Sequence, residues 1–320
     1  MPVFNSSFTI GHCLEGIAKS SYKDYECIVV DDSSDDDTAK IVTQFDVNLI
    51  RLGKRGGAAH ARNRGAERAK GEILLFIDSD VVIASDCLSK IAQTFSDNPG
   101  IAAVFGSYDD QPERPNFLSQ YRNLLHHYIH QTSQMDASTF WTGCGAVTKE
   151  AFFSVSMFNE NTRMMEDIEL GYRLKAKDYQ IRLNKEILVK HLKHYSFSYL
   201  IKSDLFDRAI PWTALMFQNR QNTKDLNLKS EHKTSAVILF LAALSAALAI
   251  KWIWFLIAVP FLMLLFLVLN LDIYRFFLKR RGWFFALRVI PFHSLYYLYS
   301  SLGFGIGAFG YVFKKYTKQS

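Results

Sequence analysis

The sequence predicts an α/β protein in which a mostly parallel sheet is flanked by helices and followed by a helical membrane tail. Short aliphatic runs alternate with amphipathic segments as far as residue 195, which is typical of strands joined by helical crossovers. Clusters of acidic residues directly follow two of these runs, where ligands bind in parallel sheets. Three long uncharged runs then occupy most of residues 235–320.

The strands and helices are predicted from these runs one by one. We expect strands at residues 27–30, 48–52, 72–77, 101–105 and 188–190. We expect helices at residues 58–69, 85–95, 117–134 and 166–176, with Ser85 as the N-cap of the second.

The first strand is an exception, because only four residues precede the expected first helix. They reach about 13 Å at ~3.3 Å per residue, whereas a strand usually has about 5–6 residues. Pro2 also cannot donate to a strand ladder. We therefore expect the natural chain to begin upstream of Met1, with aliphatic residues that complete this strand.

Charge is unevenly distributed along the chain. The 320 residues carry 37 Lys and Arg against 31 Asp and Glu, a net charge of +6. Nine of the basic residues and one acid lie in residues 235–320, which leaves the preceding part near neutral and argues against nucleic-acid binding. The four cysteines are far apart, which argues against a disulfide framework or zinc ribbon and fits a reducing, cytosolic face.

Two acidic clusters follow predicted strands. Asp31 and Asp32 could hydrogen-bond a base edge or a ribose, or could form a solvated turn before a helix. Asp78 and Asp80 are two positions apart and therefore lie on one side of an extended chain. Carboxylates on a rigid strand end suit Mg²⁺ or Mn²⁺ that also binds a diphosphate, although this short pattern is common by chance.

A third cluster, Glu166 and Asp167, opens a predicted helix. Asp167 could face a cleft and act as a general base. The alternative is an ordinary acidic first turn, which the helix dipole favours.

Together, in this order, the segments resemble family 2 glycosyltransferases of the GT-A fold over roughly residues 1–195. The resemblance rests on residues 2–5, 31–34 with Thr38, 57–66, 140–146, 158–160 and 166–167. It implies a Rossmann-like sheet and a nucleotide-sugar transferase domain at residues 1–195. A UDP- or GDP-sugar would be the donor.

The resemblance also implies roles for single residues on the nucleotide side. Asp32, with Asp31 beside it, would contact the nucleotide base, and Phe4 would stack nearby. Arg62 and Asn63 would lie near the nucleotide.

Around the reacting atoms, the resemblance makes Asp167 the catalytic base. Asp80, assisted by Asp78, would ligate Mn²⁺ or Mg²⁺. His191 or His194 could complete the metal shell, and His191 is favoured because it matches the family's valine-then-histidine position. Glu166 and Gly143 would lie on the acceptor or diphosphate side.

The chain departs from the family pattern because the Q-x-x-R-W signature of processive synthases is absent. Arg208 and Trp212 stand in its place, on an interfacial amphipathic linker expected at residues 196–234. Two roles are open for Arg208, a contact with the diphosphate or an anchor at the membrane interface.

The uncharged runs at residues 235–250, 252–271 and 289–313 predict membrane-spanning or interfacial helices. At ~1.5 Å per residue, about 20 residues match the ~30 Å hydrocarbon core. The basic residues Arg220, Lys224 and Lys229 precede the first run and others follow the second, which predicts a cytoplasmic N-terminal domain and a cytoplasmic loop at 272–283. The topology of the third run, which contains Pro291, is left open.

These observations predict a multi-pass protein of the cell membrane with its catalytic domain on the cytoplasmic face. The predicted function is metal-dependent, inverting transfer of a sugar, by single displacement, to a lipid-linked or envelope-glycan acceptor. The alternative is a catalytically silent, nucleotide-sugar-binding scaffold subunit of a polysaccharide assembly complex. No nucleic-acid partner is expected, and the sequence does not indicate an oligomeric state.

Overall fold

The computed structural model describes residues 1–162, 164–219 and 230–317. The chain divides into two compact units, Met1–His194 and Tyr195–Ser320, which we call the N-terminal and C-terminal units.

The N-terminal unit opens with a parallel three-stranded sheet in the order β1 (Pro2–Val3), β2 (Ile28–Asp31) and β3 (Asn48–Arg51). Three helices accompany it: α1 (Ile10–Ala18), α2 (Thr38–Val42) and α3 (Ala58–Arg68). β2 is an aliphatic run whose Val29 and Val30 are buried, as a strand covered on both faces requires.

β1 contains only two residues. Within the described part of the chain it pairs with β2 alone, and Pro2 lies opposite Val30. It therefore lies at an edge of the three-stranded sheet and not between two strands. The upstream extension expected from the sequence stays a prediction.

The second sheet has six strands: β4 (Ile73–Ile77), β5 (Val81–Ile83), β6 (Ile101–Tyr108), β7 (Asp136–Ala137), β8 (Cys144–Thr148) and β9 (Gln180–His191). Their order is β4-β8-β6-β9-β5, and β7 pairs with β9. The accompanying helices are α4 (Cys87–Asp97), α5 (Phe117–Thr132), α6 (Lys149–Ser154) and α7 (Glu166–Ala176). A shared apolar core includes Val3, Ile10, Val104 and Val189.

The α/β class predicted from the sequence is confirmed, but the second sheet is mixed. β6 and β9 are parallel, whereas β8 runs antiparallel to both β4 and β6. β8 is buried along most of its length, and such a run satisfies its burial in either direction. No strand was expected here from the sequence pattern, and a buried run of this kind does not fix its own direction.

The expected cap of α4 is also different. α4 begins at Cys87 with Asp86 at the N-cap, and no side chain caps it. Ser85 instead accepts a hydrogen bond at its backbone oxygen from Ser21 N, at 2.8 Å, so its predicted capping role is wrong.

The C-terminal unit is helical. It contains α8 (Phe197–Lys202), a π-helical segment (Ser203–Ala209) and α9 (Ile210–Asn219). It continues with α10 (Ser230–Leu248), a 3-10 turn (Ile253–Ile257), α11 (Ala258–Leu269), α12 (Leu271–Arg281) and α13 (Trp283–Thr317). Polar side chains pair between helices: Asn270 Nδ2 donates to Ser235 Oγ at 2.8 Å.

Among the described residues, one helix is long and apolar enough to cross a membrane, at Glu231–Leu248. Ile253–Leu269 and Leu271–Arg281 pass the same test only as a pair, bent by 64° at a short break. The third uncharged run lies within α13, which contains Pro291. Arg220, Lys224 and Lys229, on which part of the orientation prediction depends, lie outside the described residues.

Candidate active site

The acidic end of β2 braces the chain that leads into α3. The Asp31 side chain is fully buried and accepts hydrogen bonds from Ser34 N at 2.9 Å and Arg51 Nε at 3.3 Å. Asp32 uses both carboxylate oxygens, which accept the backbone N–H groups of Gly56 and Gly57, each at 2.7 Å.

Phe4 follows β1, close to the end of the second sheet. Its ring lies beneath the guanidinium of Arg55, with 3.7 Å between the guanidinium carbon and the ring centroid. Two residues further on, Ser6 Oγ is 2.9 Å from Ser79 Oγ, in the turn that separates Asp78 from Asp80. The segments that follow β1 and β4 are therefore joined by a hydrogen bond between two serine side chains.

Arg62 lies at the centre of the site. Its Nη2 donates to Asp78 Oδ1 at 2.7 Å, and its Nη1 donates to Glu166 Oε1 at 2.5 Å. Burial alone would lower the pKa of Arg62, but the two carboxylates outweigh burial and hold its pKa above the usual value. This fork fixes α3 to the end of β4 and to the start of α7.

The next residue, Asn63, is almost completely buried and shapes a different segment. Its Nδ2 donates to Phe158 O and to Glu160 Oε1, both at 2.9 Å, while its Oδ1 accepts from Phe158 N at 3.0 Å. Glu160 also lies 2.7 Å from His60 Nδ1. Asn63 therefore holds the loop that precedes α7.

Asp80 and His191 lie side by side because β5 pairs antiparallel with β9, with Val81 opposite His191. Asp80 Oδ2 is 3.5 Å from His191 Nε2. Burial alone would raise the pKa of Asp80, but its hydrogen bond and charge interaction with His191 outweigh burial and lower its pKa. The ring of Tyr108 stacks on His191 with centroids 4.2 Å apart and planes 8° apart, which fixes the imidazole plane.

This pair is the part of the site that fits a divalent metal. No group of three or more His, Cys, Asp or Glu side chains suited to a metal occurs in the described ranges, and Asp78 is engaged by Arg62. Mg²⁺ is commonly held by one or two carboxylates with substrate phosphates and water completing its shell. Asp80 and His191 fit a cation if the phosphate oxygens of the nucleotide and water supply its remaining ligands.

Asp167 lies in the first turn of α7, which follows Met165 in a left-handed conformation with φ of 68°. Its Oδ1 accepts from Ile168 N at 2.8 Å, and its Oδ2 accepts from Thr142 N at 3.3 Å. Burial, reinforced by the charge of Glu166, raises the pKa of Asp167 to about 7. A carboxylate with this pKa can exchange a proton near neutral pH.

Gly143 belongs to the backbone that leads into β8. A Cβ at this position would collide with the ring of Trp141, so the close packing requires glycine. The ring of Trp141 in turn lies 4.9 Å, between centroids, from the ring of Tyr108.

The remaining two predicted residues belong to the C-terminal unit. Arg208 lies in the π-helical segment, where its Nη1 donates to Asp204 Oδ1 at 3.1 Å, and Asp204 also accepts from Tyr299 OH at 2.7 Å. Trp212 is half-buried on α9.

In the N-terminal unit, the structure groups the predicted residues into three sets. Asp78 and Glu166 meet on Arg62, Asp80 meets His191, and Phe4 lies close to the loop that Asp32 holds. A cavity of about 520 Å³ beside β2 and β4 includes only Arg62 of the predicted residues, so these sets lie mostly outside it.

Sequence reasoning missed Arg55, Tyr108 and Thr142, each of which contacts a predicted residue. The glycines around Arg55 were the one available signal in the sequence, because glycine at such a density marks a special backbone.

Comparison with known proteins agrees with the family resemblance found in the sequence. Residues 1–161 match the family description "Glycosyl transferase family 2". The poly-beta-1,6-N-acetyl-D-glucosamine synthase of Staphylococcus epidermidis is 25% identical over 197 residues, covering 58% of this chain and 47% of that protein. The Escherichia coli UDP-Glc:alpha-D-GlcNAc-diphosphoundecaprenol beta-1,3-glucosyltransferase WfgD is 33% identical over 113 residues, covering 34% and 44%.

Among solved structures, the mannosyltransferase PcManGT from Pyrobaculum calidifontis, in complex with GDP-Man and Mn²⁺, has a TM-score of 0.58 and 17% identity. The match covers 95% of this chain and 85% of that one, and at this identity it shows the fold alone. The chain spans about half the length of the curated relatives that it matches. The family match covers half of this chain, and the chain belongs to glycosyl transferase family 2.

Proposed function

We propose that the chain transfers a sugar from a nucleotide-sugar donor to a hydroxyl group of a lipid-linked or envelope-glycan acceptor, with inversion at the anomeric carbon. The observation that carries this proposal is Asp167, a half-buried carboxylate held by Thr142 and Ile168, whose pKa of about 7 suits a general base. Asp167 is next to Glu166 in the sequence, and Arg62 links Glu166 to Asp78 at the end of β4.

The chemistry follows from this arrangement. Asp167 accepts the proton of the acceptor hydroxyl, whose oxygen attacks the anomeric carbon of the donor as the nucleoside diphosphate leaves. Thr142 holds the carboxylate through its backbone N–H, and its Oγ1 lies 3.4 Å from Asp167 Oδ2. A single displacement of this kind inverts the anomeric centre and needs no covalent intermediate.

On the donor side, Asp80 and His191 are proposed to hold Mn²⁺ or Mg²⁺. A divalent cation there would supply positive charge to the leaving diphosphate. The ionised state of Asp80 supports this, because only the carboxylate is a ligand. Relatives named for UDP-Glc and crystallised with GDP-Man support a UDP- or GDP-sugar donor.

We further propose that the C-terminal unit anchors the enzyme in the cell membrane as a multi-pass segment, with the N-terminal unit on the cytoplasmic face. Large apolar side chains point outward on several helices, for example Phe240 at 57%, Phe261 at 67% and Phe309 at 74% exposure. Soluble proteins rarely expose contiguous apolar surface of this kind. The relative named for a diphosphoundecaprenol acceptor supports a lipid-linked substrate at that surface.

Topology is tested with Lys251→Cys and Leu278→Cys, labelled in intact cells by a thiol reagent that does not cross the membrane. Labelling at 251 and protection at 278 are expected, because basic residues cluster at the end of α12. The reverse pattern contradicts the cytoplasmic placement.

Activity is tested on the detergent-solubilised chain with UDP- and GDP-sugars, polyprenyl-linked acceptors and Mn²⁺ or Mg²⁺. Asp167→Asn is expected to bind the donor nucleotide normally and to lose ~10²–10⁴-fold in transfer. Asp80→Asn is expected to lose Mn²⁺ binding as well as transfer. If the wild-type chain binds nucleotide but transfers no sugar to any acceptor, the scaffold alternative replaces this proposal.

A further inference from the structure

A short arch of backbone, residues 53–55, links β3 to α3 and is pinned on both sides. Before the arch, Leu52 N donates to Asp31 O at 2.9 Å, and Leu52 O accepts from Ser33 Oγ at 2.8 Å. After it, the N–H groups of Gly56 and Gly57 are bound by Asp32. Gly57 has φ of +91°, a conformation that L residues rarely adopt, so this end of the arch requires glycine.

The arch carries Arg55 directly over Phe4. Its guanidinium carbon is 3.7 Å from the ring centroid, although Arg55 is exposed and Phe4 is only half-buried. In the described ranges no carboxylate lies within ion-pair distance of Arg55. The ring face is therefore what holds the guanidinium in this position.

We propose that Arg55 is a nucleotide-binding residue that closes over the outer face of the nucleobase while Phe4 stacks on the inner face. This inference rests on the proposed nucleotide-sugar donor. A planar guanidinium and an aromatic ring both stack on bases, and the contact is tolerant of base identity. In the ligand-free chain the guanidinium covers the ring face that the base would occupy.

The arch allows the movement that base entry requires. A Cβ at Gly53 would meet nothing within 4 Å, and the residues between the two pinned ends are exposed. The proposal therefore has the exposed Arg55 side chain leave the ring face while Leu52 and Gly56 stay in place. Asp32, whose two oxygens already hold the far end of the arch, becomes a positioning residue for Arg55.

The test measures nucleotide and phosphate binding separately. UDP, GDP and inorganic pyrophosphate are titrated calorimetrically, with Mn²⁺, into the full chain and into Arg55→Ala and Arg55→Lys. Lys54→Ala is the matched control, because it removes the neighbouring exposed cation of the same arch. Thermal unfolding of each variant confirms that it is folded.

Arg55→Ala is expected to bind UDP and GDP about 5- to 30-fold more weakly, about 1–2 kcal/mol at ~1.4 kcal/mol per tenfold. Pyrophosphate binding should be unchanged, Arg55→Lys should recover only part of the loss, and Lys54→Ala should match the wild type. Unchanged or tighter UDP binding by Arg55→Ala would show that the guanidinium merely covers the ring. An equal loss for UDP and pyrophosphate would make Arg55 a phosphate contact and would equally overturn the stacking role. A wild-type chain that binds neither nucleotide would instead refute the proposed function on which this inference rests.

Discussion

Replacing Arg62 by alanine tests whether its fork holds the site together. The Arg62 side chain is 4% exposed and is shared between Asp78, which is 34% exposed, and Glu166, which is 11% exposed. Without the guanidinium, the Glu166 carboxyl group loses its partner in a place that water reaches poorly, and no cation lies between it and Asp78. Breaking a buried pair typically costs ~3–5 kcal/mol. We expect about 3 kcal/mol, because partial hydration of Asp78 reduces the loss.

The loss is measured by thermal unfolding of the detergent-solubilised chain. About 3 kcal/mol corresponds to roughly 6–12 °C in Tm for a unit of this size. The decrease should be larger at pH 8 than at pH 4.5, because burial raises the pKa of Asp78 and its protonation removes the repulsion that Arg62 no longer neutralises. Arg62→Lys should recover part of the loss, since it keeps the charge but not the bidentate geometry.

Arg64→Ala is the matched control on the same helix. Its side chain is 38% exposed and pairs with Glu67 at 2.9 Å, so we expect a loss of at most ~1 kcal/mol. If Arg62→Ala unfolds at the same temperature as Arg64→Ala at pH 8, the fork does not hold the site and the reasoning is refuted.

Two further substitutions test how α3 and α7 are held. Asn63→Ala should lower stability by ~1–3 kcal/mol in the same unfolding experiment, because it leaves the buried backbone N–H and C=O of Phe158 without partners. An unchanged Tm would contradict this hydrogen-bond assignment. Gly171→Ala should cost ~1–3 kcal/mol, because its Cβ would lie 2.5 Å from Phe140 N. Gly11→Ala is the control, because its Cβ would meet only Ile41, at an ordinary 3.6 Å, and it should be neutral or stabilising. Equal Tm values for the two glycine-to-alanine variants would show that α7 does not approach the Phe140 backbone closely.

Local sequence patterns predicted a helix or strand well where the pattern is compatible with only one local structure. The helix expected at residues 166–176 is observed as Glu166–Ala176, because its apolar spacing and acidic first turn agree. The helix expected at 117–134 ends at Thr132. Strand direction was not predictable, because a buried run such as β8 has the same pattern in either orientation.

Asp31, Asp32, Asp78 and Asp80 could be found from the sequence because they end or follow aliphatic strands, and Glu166 and Asp167 because they open a helix. The partners of these acids could not be predicted, because each pair joins residues that are far apart in the sequence. Arg62 and Glu166 are 104 positions apart, and Asp32 and Gly57 are 25 positions apart. The raised pKa of Asp167 likewise arises from burial, which no local motif encodes. Arg55 was missed because its contact with Phe4 exists only once the arch is pinned.

The central claim, that Asp167 is the base for sugar transfer, is tested most directly by the pH dependence of kcat/KM. Because the base must be deprotonated and its pKa is about 7, kcat/KM should fall about tenfold per pH unit below 7 and level off above it. This rising limb should be absent in the residual activity of Asp167→Asn. A wild-type profile that stays flat from pH 5.5 to 8, or a rising limb that persists in Asp167→Asn, would contradict the account.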